Sequence, residues 1–203
     1  MASIYELKPK FQALLRPVLR GLRGLGVTPN MLTLLALGLS FASGVALYIG
    51  AYDPRFLIAV PVAMFVRMAL NALDGMMARE YGMTSAMGQV LNEVGDVVSD
   101  IAVYLPLAAH AQPAWPVFAF VLLAVVNEFA GLLGVSVCGA RVNDGPMGKS
   151  DRAFAIGLLA VLLYKVPAMK AGVAPYCGLL ALLLVKSTCN RMRSAVERAR
   201  GTP

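Results

Sequence analysis

Apolar stretches of about bilayer-crossing length alternate with short charged or proline-bearing breaks, a pattern that predicts helices throughout the chain. The predicted spans cover 29–50, 56–79, 86–109, 115–139, 151–166 and 173–193. Ahead of them, Tyr5, Leu7, Phe11, Leu14, Leu15, Val18, Leu19 and Leu22 alternate with Lys8, Lys10, Arg16, Arg20 and Arg23. This predicts an amphipathic helix over residues 3–24, lying on the membrane interface and interrupted near Pro17. Thr28-Pro29-Asn30 then opens the first span, because proline suits the first helical position and a preceding threonine can cap it. The expected fold is all-α integral membrane: six transmembrane helices preceded by an N-terminal interfacial amphipathic helix. One domain is expected, with a juxtamembrane helix at 1–27, a six-helix bundle at 28–195 and a cytosolic tail at 196–203.

Composition supports that class. The chain is 59% hydrophobic and 14% charged, where a soluble domain carries about a quarter charged residues. A net charge of +7 raises nucleic acid as a partner, but the distribution of the basic residues argues for a membrane instead. Lys8, Lys10, Arg16, Arg20, Arg23, Arg79, Arg141, Lys149, Arg152, Arg191, Arg193, Arg198 and Arg200 all fall on one side of the predicted topology. Arg55, Lys165 and Lys170 fall on the other, so the positive-inside rule puts both termini in the cytosol. The first 28 residues carry five basic residues and no unbroken apolar run, so no cleavable signal is expected. Cys138, Cys177 and Cys189 lack metal-site spacing and are expected to be reduced thiols.

The chemistry-bearing residues stand out because they interrupt apolar sequence, where one mid-bilayer charge costs roughly 2.5–3.5 kcal/mol. Asn71 and Asp74 share a helix face, with Gly75 four residues after Asn71. On the next span Gly88, Asn92, Asp96 and Asp100 recur every four residues, and Glu93 lies within the same roughly 100° arc as the last three. Two adjacent antiparallel helices would aim these oxygens at one point, the ligand chemistry that hard divalent cations and substrate phosphates want. Gly75 and Gly88 would let a substrate approach the backbone closely.

This pattern resembles the signature of the CDP-alcohol phosphotransferases, D-x2-D-G-x2-A-R-x8-G-x3-D-x3-D. Asp74, Gly75, Ala78, Arg79, Gly88 and Asp96 match in identity and spacing, while Asn71 and Asn92 stand where the family has its first and third Asp. Asn30 and Thr33, at the start of the first span, extend the resemblance, and the six-span layout carries it over nearly the whole chain. The resemblance implies Mg²⁺ or Mn²⁺, one or two ions per chain, held by Asp74 and Asp96 with Asn71, Asn92 and Asp100 as further candidates. It implies Asp96 as the general base, and Gly75, Ala78, Arg79, Gly88, Asn30 and Thr33 around the CDP moiety. The implied reaction moves a phosphatidyl group from CDP-diacylglycerol to a small polar alcohol and releases CMP. A homodimer in a bacterial inner membrane with cytosolic active sites is implied as well. Two other readings stay open: transfer of a CDP-linked headgroup to a lipid hydroxyl, and a non-catalytic lipid-binding relative. An amide oxygen can still ligate a divalent cation, but each Asn removes one negative charge, which leaves one metal or two as the question.

The loop Arg141 to Arg152 is basic and glycine-bearing, and Arg141, Lys149 and Arg152 are candidates for gripping phosphate or acceptor; a positive-inside anchor explains them equally well. Its Gly-Lys-Ser is no P-loop, because residue 143 is Asn and no strand precedes it. Glu128, beside Asn127 in mid-span, is an acceptor-contact candidate, as is Glu93. Arg67 is expected to pair with an acid such as Glu93 or Glu128. His110 is the single histidine, which excludes a histidine-based metal site and makes a Ser/His/Asp triad implausible. Met76, Met77, Met83 and Met87 flank the motif and are considered as lining for an acyl groove.

Overall fold

A computed structural model describes residues 4–201 of the chain. Residues 1–3 and 202–203 lie outside the described residues, as do the side chains of Tyr5, Leu7 and Lys8. Among the described residues seven α-helices follow one another: α1 (Ile4–Gly24), α2 (Pro29–Gly50), α3 (Ala59–Glu80), α4 (Ala86–Tyr104), α5 (Trp115–Cys138), α6 (Lys149–Lys165) and α7 (Val173–Arg200). Short 3-10 turns at Pro54–Ile58, Leu105–His110 and Pro167–Gly172 join them, and no strand occurs among the described residues.

Local chemistry sets several of these boundaries. Thr28 caps α2 by accepting from the Met31 amide at 3.4 Å, and Pro29 takes the first helical position. Ser85 caps α4 through the Gly88 amide at 3.0 Å. Gly139, at φ 74°, closes α5 in the left-handed conformation that glycine adopts without a Cβ clash.

Among the described residues, four helical segments are long and apolar enough to cross a membrane: Pro29–Gly50, Pro54–Glu80, Trp115–Cys138 and Ala168–Arg200. The predicted spans 86–109 and 151–166 coincide with α4 and α6, which fall outside that set for physical reasons. Glu93, Asp96 and Asp100 load α4 with charge, and α6 is only 17 residues long. Large apolar side chains face outward around the bundle, among them Phe41, Phe65, Leu122, Phe129 and Leu182, all more than half exposed. Outward-facing apolar surface of that extent suits a hydrocarbon surround, and the chain is a membrane protein.

Three expectations need correction. α1 runs unbroken through Pro9 and Pro17, and its apolar face is divided. Leu15, Leu19 and Leu22 pack onto Leu32, Ala36, Leu70, Leu73, Met76 and Met77 of the bundle, while Leu14 and Val18 stay exposed. Met76 and Met77 are therefore interior packing, leaving only Met87 of that group widely exposed. At the other terminus α7 continues to Arg200, through most of the predicted tail.

The main core joins α2 to α7 away from the motif, with Leu47, Leu57, Val103, Tyr104, Phe120, Ile156, Leu159, Cys177 and Leu184 fully or almost fully buried. Helix α2 packs against both α3 and α4, and α5 lies along α7. A Cβ on Gly44 would stand 2.1 Å from the Ala102 carbonyl oxygen, so only glycine lets α2 and α4 approach this closely. The two ends of the bundle differ in character. At one, His110 Nε2 meets the Leu47 carbonyl at 2.7 Å and Lys170 donates to the Ala51 carbonyl at 3.0 Å. At the other, Arg16 pairs with Glu80 at 3.4 Å and Arg198 with Asp144 at 2.7 Å. The motif lies towards this second end.

Candidate active site

Helices α3 and α4, which carry the motif, make little direct contact with each other; α2 packs along both. The expectation of two adjacent helices is thus corrected to two helices joined by their side chains, with α2 behind them. From α2, the Thr33 hydroxyl lies 2.9 Å from Asp74 Oδ2 and 3.1 Å from the Pro29 carbonyl. Asn30 Oδ1 lies over Gly88, 2.9 Å from where a Cβ would stand, so the start of the first span meets the start of α4. The Arg79 guanidinium folds back over Gly75, 3.1 Å from that glycine's missing Cβ. Both motif glycines therefore accommodate polar side chains at their bare Cα atoms.

Asp74 and Asp96 are buried, at 5% and 7% exposure, while Asn71 and Asn92 are half-buried and Arg79 is exposed. Lys149, from the first turn of α6, donates to Asp96 Oδ2, and Asp74, Asp96 and Lys149 are close enough to interact electrostatically. Oxygen donors from two carboxylates and two carboxamides suit a hard divalent cation, with half the charge that four carboxylates would supply. No group of three or more acidic, histidine or cysteine side chains converges on a metal position among the described residues.

One turn further into the bundle, Asp100 has a different setting. Its Oδ1 accepts from Arg67 at 2.9 Å and Tyr104 at 3.0 Å, and its Oδ2 accepts from Arg152 at 2.6 Å. Both oxygens are committed to neighbours, so Asp100 is not placed as a metal ligand. Arg67 pairs with Asp100 and neither predicted glutamate, because position 67 on α3 faces the deeper turn of α4.

Glu128 is the hub of the remaining charges. Arg152 Nη2 reaches its Oε1 at 2.7 Å, and Arg141 donates to its Oε2. Lys149 and Arg191 each stand 3.8 Å from one of its oxygens. Arg141 bonds Glu93 as well. Burial disfavours charge on Arg141, but Glu93 and Glu128 outweigh it and hold its guanidinium above the ordinary arginine value. The loop candidates Arg141, Lys149 and Arg152 and the acids Glu93 and Glu128 therefore form one network.

Sequence reasoning missed what builds this network. Gly131 and Gly134, three and six residues after Glu128, let the chain turn back along α5. A Cβ at Gly131 would stand 2.8 Å from both the Val142 carbonyl oxygen and Arg191 Nη1, and one at Gly134 2.7 Å from the Ala140 carbonyl oxygen. The Val142 amide bonds the Gly131 carbonyl at 3.1 Å, which brings Arg141 within reach of Glu128. Arg191, at first counted only as a cytosolic basic residue, is buried and donates to the Asn127 carbonyl at 2.6 Å. The available signal was two glycines at helical spacing after a mid-span glutamate.

The profile of the CDP-alcohol phosphatidyltransferase family matches residues 26–186, and the chain belongs to that family. It is 43% identical to inner membrane protein YnbA of Escherichia coli, over 96% of each chain. It is 31% identical to the phosphatidylinositol phosphate synthase of Mycobacterium tuberculosis, over 74% of this chain and 81% of that protein. The crystal structure of that species' phosphatidylinositol phosphate synthase with CDP-DAG bound aligns with a TM-score of 0.72 at 23% identity, covering 88% of this chain and 92% of that one. A second crystal structure, in complex with manganese and citrate, aligns with a TM-score of 0.71 and the same identity, covering 88% and 87%. At that identity the two crystal structures establish the shared fold.

Proposed function

We propose that this protein is a metal-dependent transferase that moves a phosphatidyl group from CDP-diacylglycerol to a small polar alcohol and releases CMP. The observation that carries the reading is a pair of buried acids, Asp74 bonded to Thr33 and Asp96 bonded to Lys149, each about one turn from a half-buried carboxamide, Asn71 or Asn92. Family membership, the CDP-DAG held by one structural neighbour and the manganese held by another support it.

Asp74, Asp96, Asn71 and Asn92 would hold Mg²⁺ or Mn²⁺, which when bound would neutralise charge on the donor's phosphates. Thr33 fixes the Asp74 carboxylate through its hydroxyl, and Arg79 over Gly75 presents a guanidinium for a donor phosphate. Gly88, Asn30 and Ala78 shape the CDP side of the site. Asp96 takes the proton of the acceptor hydroxyl as its oxygen attacks phosphorus, and CMP leaves as that bond forms. Lys149 donates to Asp96 Oδ2 and orients that carboxyl group. Asp100 keeps Arg67 and Arg152 in place and is not assigned to the cation.

α4 and α6 complete a six-span bundle in this reading, because their acids and bases are paired inside it and need no water. α1 lies on the cytosolic interface, both termini and the site face the cytosol of a bacterial inner membrane, and the protein works as a homodimer. The test is CMP release from CDP-diacylglycerol by purified protein with Mg²⁺ or Mn²⁺ and a panel of small alcohols. Metal-dependent CMP release with a new phospholipid is expected. No CMP from any acceptor, under conditions where the protein is folded, would overturn the reading.

A further inference from the structure

The cation cluster around Glu128 carries information about the acceptor that the reading above leaves open. Arg141, Lys149, Arg152 and Arg191 all come within 4 Å of this one carboxylate. Glu128 is 3% exposed, whereas the Arg141 and Lys149 side chains at the outer edge of the cluster are 20% and 34% exposed. Lys149 touches Asp96 as well, so the cluster adjoins the proposed reacting centre. Four cations converging on one point form an anion site. Here the chain itself supplies the anion.

We infer that Glu128 is a specificity-determining residue: its carboxylate fills the place of an anion among Arg141, Lys149, Arg152 and Arg191, so the acceptor this site takes is an uncharged polyol and not a phosphorylated one. The inference rests on the proposed transfer reaction. A phosphate group and the Glu128 carboxylate are both acceptors of hydrogen bonds with like charge, and they compete for the same guanidinium and ammonium groups. A hydroxyl can donate to the carboxylate and accept from an N–H. Such N–H groups are at hand, since Arg152 Nε, Arg191 Nε and Asn127 Nδ2 are buried without a partner among the described residues.

The experiment compares the full-length parent with Glu128→Gln in detergent, with CDP-diacylglycerol and Mn²⁺. Acceptors are offered in pairs, glycerol against glycerol 3-phosphate and inositol against inositol 1-phosphate, and kcat/KM is read from CMP release. A preference of at least about tenfold for the uncharged member is expected in the parent, equivalent to about 1.4 kcal/mol. Glu128→Gln should shrink that preference at least about tenfold, and inorganic phosphate should raise its melting temperature more than the parent's. A parent that prefers the phosphorylated member overturns the inference, as does a Glu128→Gln protein with unchanged preference and phosphate response. Should Glu128→Gln not fold, the parent's preference decides, together with Glu128→Asp, which keeps the charge and should keep that preference. Absence of CMP with every acceptor would sink the transfer reaction, while a phosphate response confined to Glu128→Gln would still identify the carboxylate as the cluster's anion.

Discussion

Asp96 and Asp100 stand one turn apart on α4, yet their surroundings assign them different work. Asp96 pairs with Lys149, whose side chain is 34% exposed. Asp100 is clamped by Arg67, Arg152 and Tyr104, and the Arg152 side chain is fully buried. A carboxylate held by one half-buried, flexible ammonium can exchange that partner for a substrate. One that answers two buried guanidiniums cannot leave them without stranding charge. Under the proposed reaction, four residues of helix separate a reactive position from a structural one.

The comparison can be broken at several points. Arg152→Met should have the largest effect on stability, because it takes a fully buried guanidinium from both Asp100 and Glu128. A loss of about 3–5 kcal/mol is expected, read as a lowered unfolding midpoint in detergent; an unchanged midpoint would show that the network is not structural. Gly131→Ala comes next. Its methyl would meet the Val142 carbonyl oxygen and Arg191, for a cost of about 1–3 kcal/mol. It should raise the acceptor KM more than it lowers kcat, by moving Arg141.

Restoring charge at the reactive position should have a smaller and favourable effect. Asn71→Asp with Asn92→Asp should lower the Mn²⁺ concentration for half-maximal CMP release by about tenfold, since two carboxylates replace two neutral ligands. An unchanged metal dependence would mean that these positions do not meet the ion. Lys149→Gln should cost about 1 kcal/mol or less in stability, as expected for a partly exposed pair. A loss as large as that of Arg152→Met would erase the distinction between the two turns.

Much of the architecture was legible locally. Thr28-Pro29 marked the start of α2, and apolar runs marked the helices that follow. Helical spacing placed Asn71 with Asp74, and Asn92 with Asp96, on common faces. Periodicity does not say how a helix is rotated against its neighbours or at what depth a side chain finds its partner. Arg67 therefore looked able to meet Glu93 or Glu128, and only the packing selected Asp100. Asp100 continued the four-residue rhythm of the motif and so read as a ligand, although its depth commits it to arginines. Pro17 read as a break because proline lacks a backbone N–H, but α1 passes through it while Leu15, Leu19 and Leu22 dock on the bundle. Arg191 gave no signal alone, since its role depends on a shelf formed by Gly131 on another helix.

The most direct test of the account sets Asp96→Asn beside Asp100→Asn, measuring CMP release per folded molecule and the unfolding midpoint of each. Asp96→Asn should unfold near the parent's midpoint and lose about 10²–10⁴-fold of its CMP release. Asp100→Asn should unfold well below the parent. An Asp96→Asn protein that folds normally and releases CMP at the parent's rate would contradict the account.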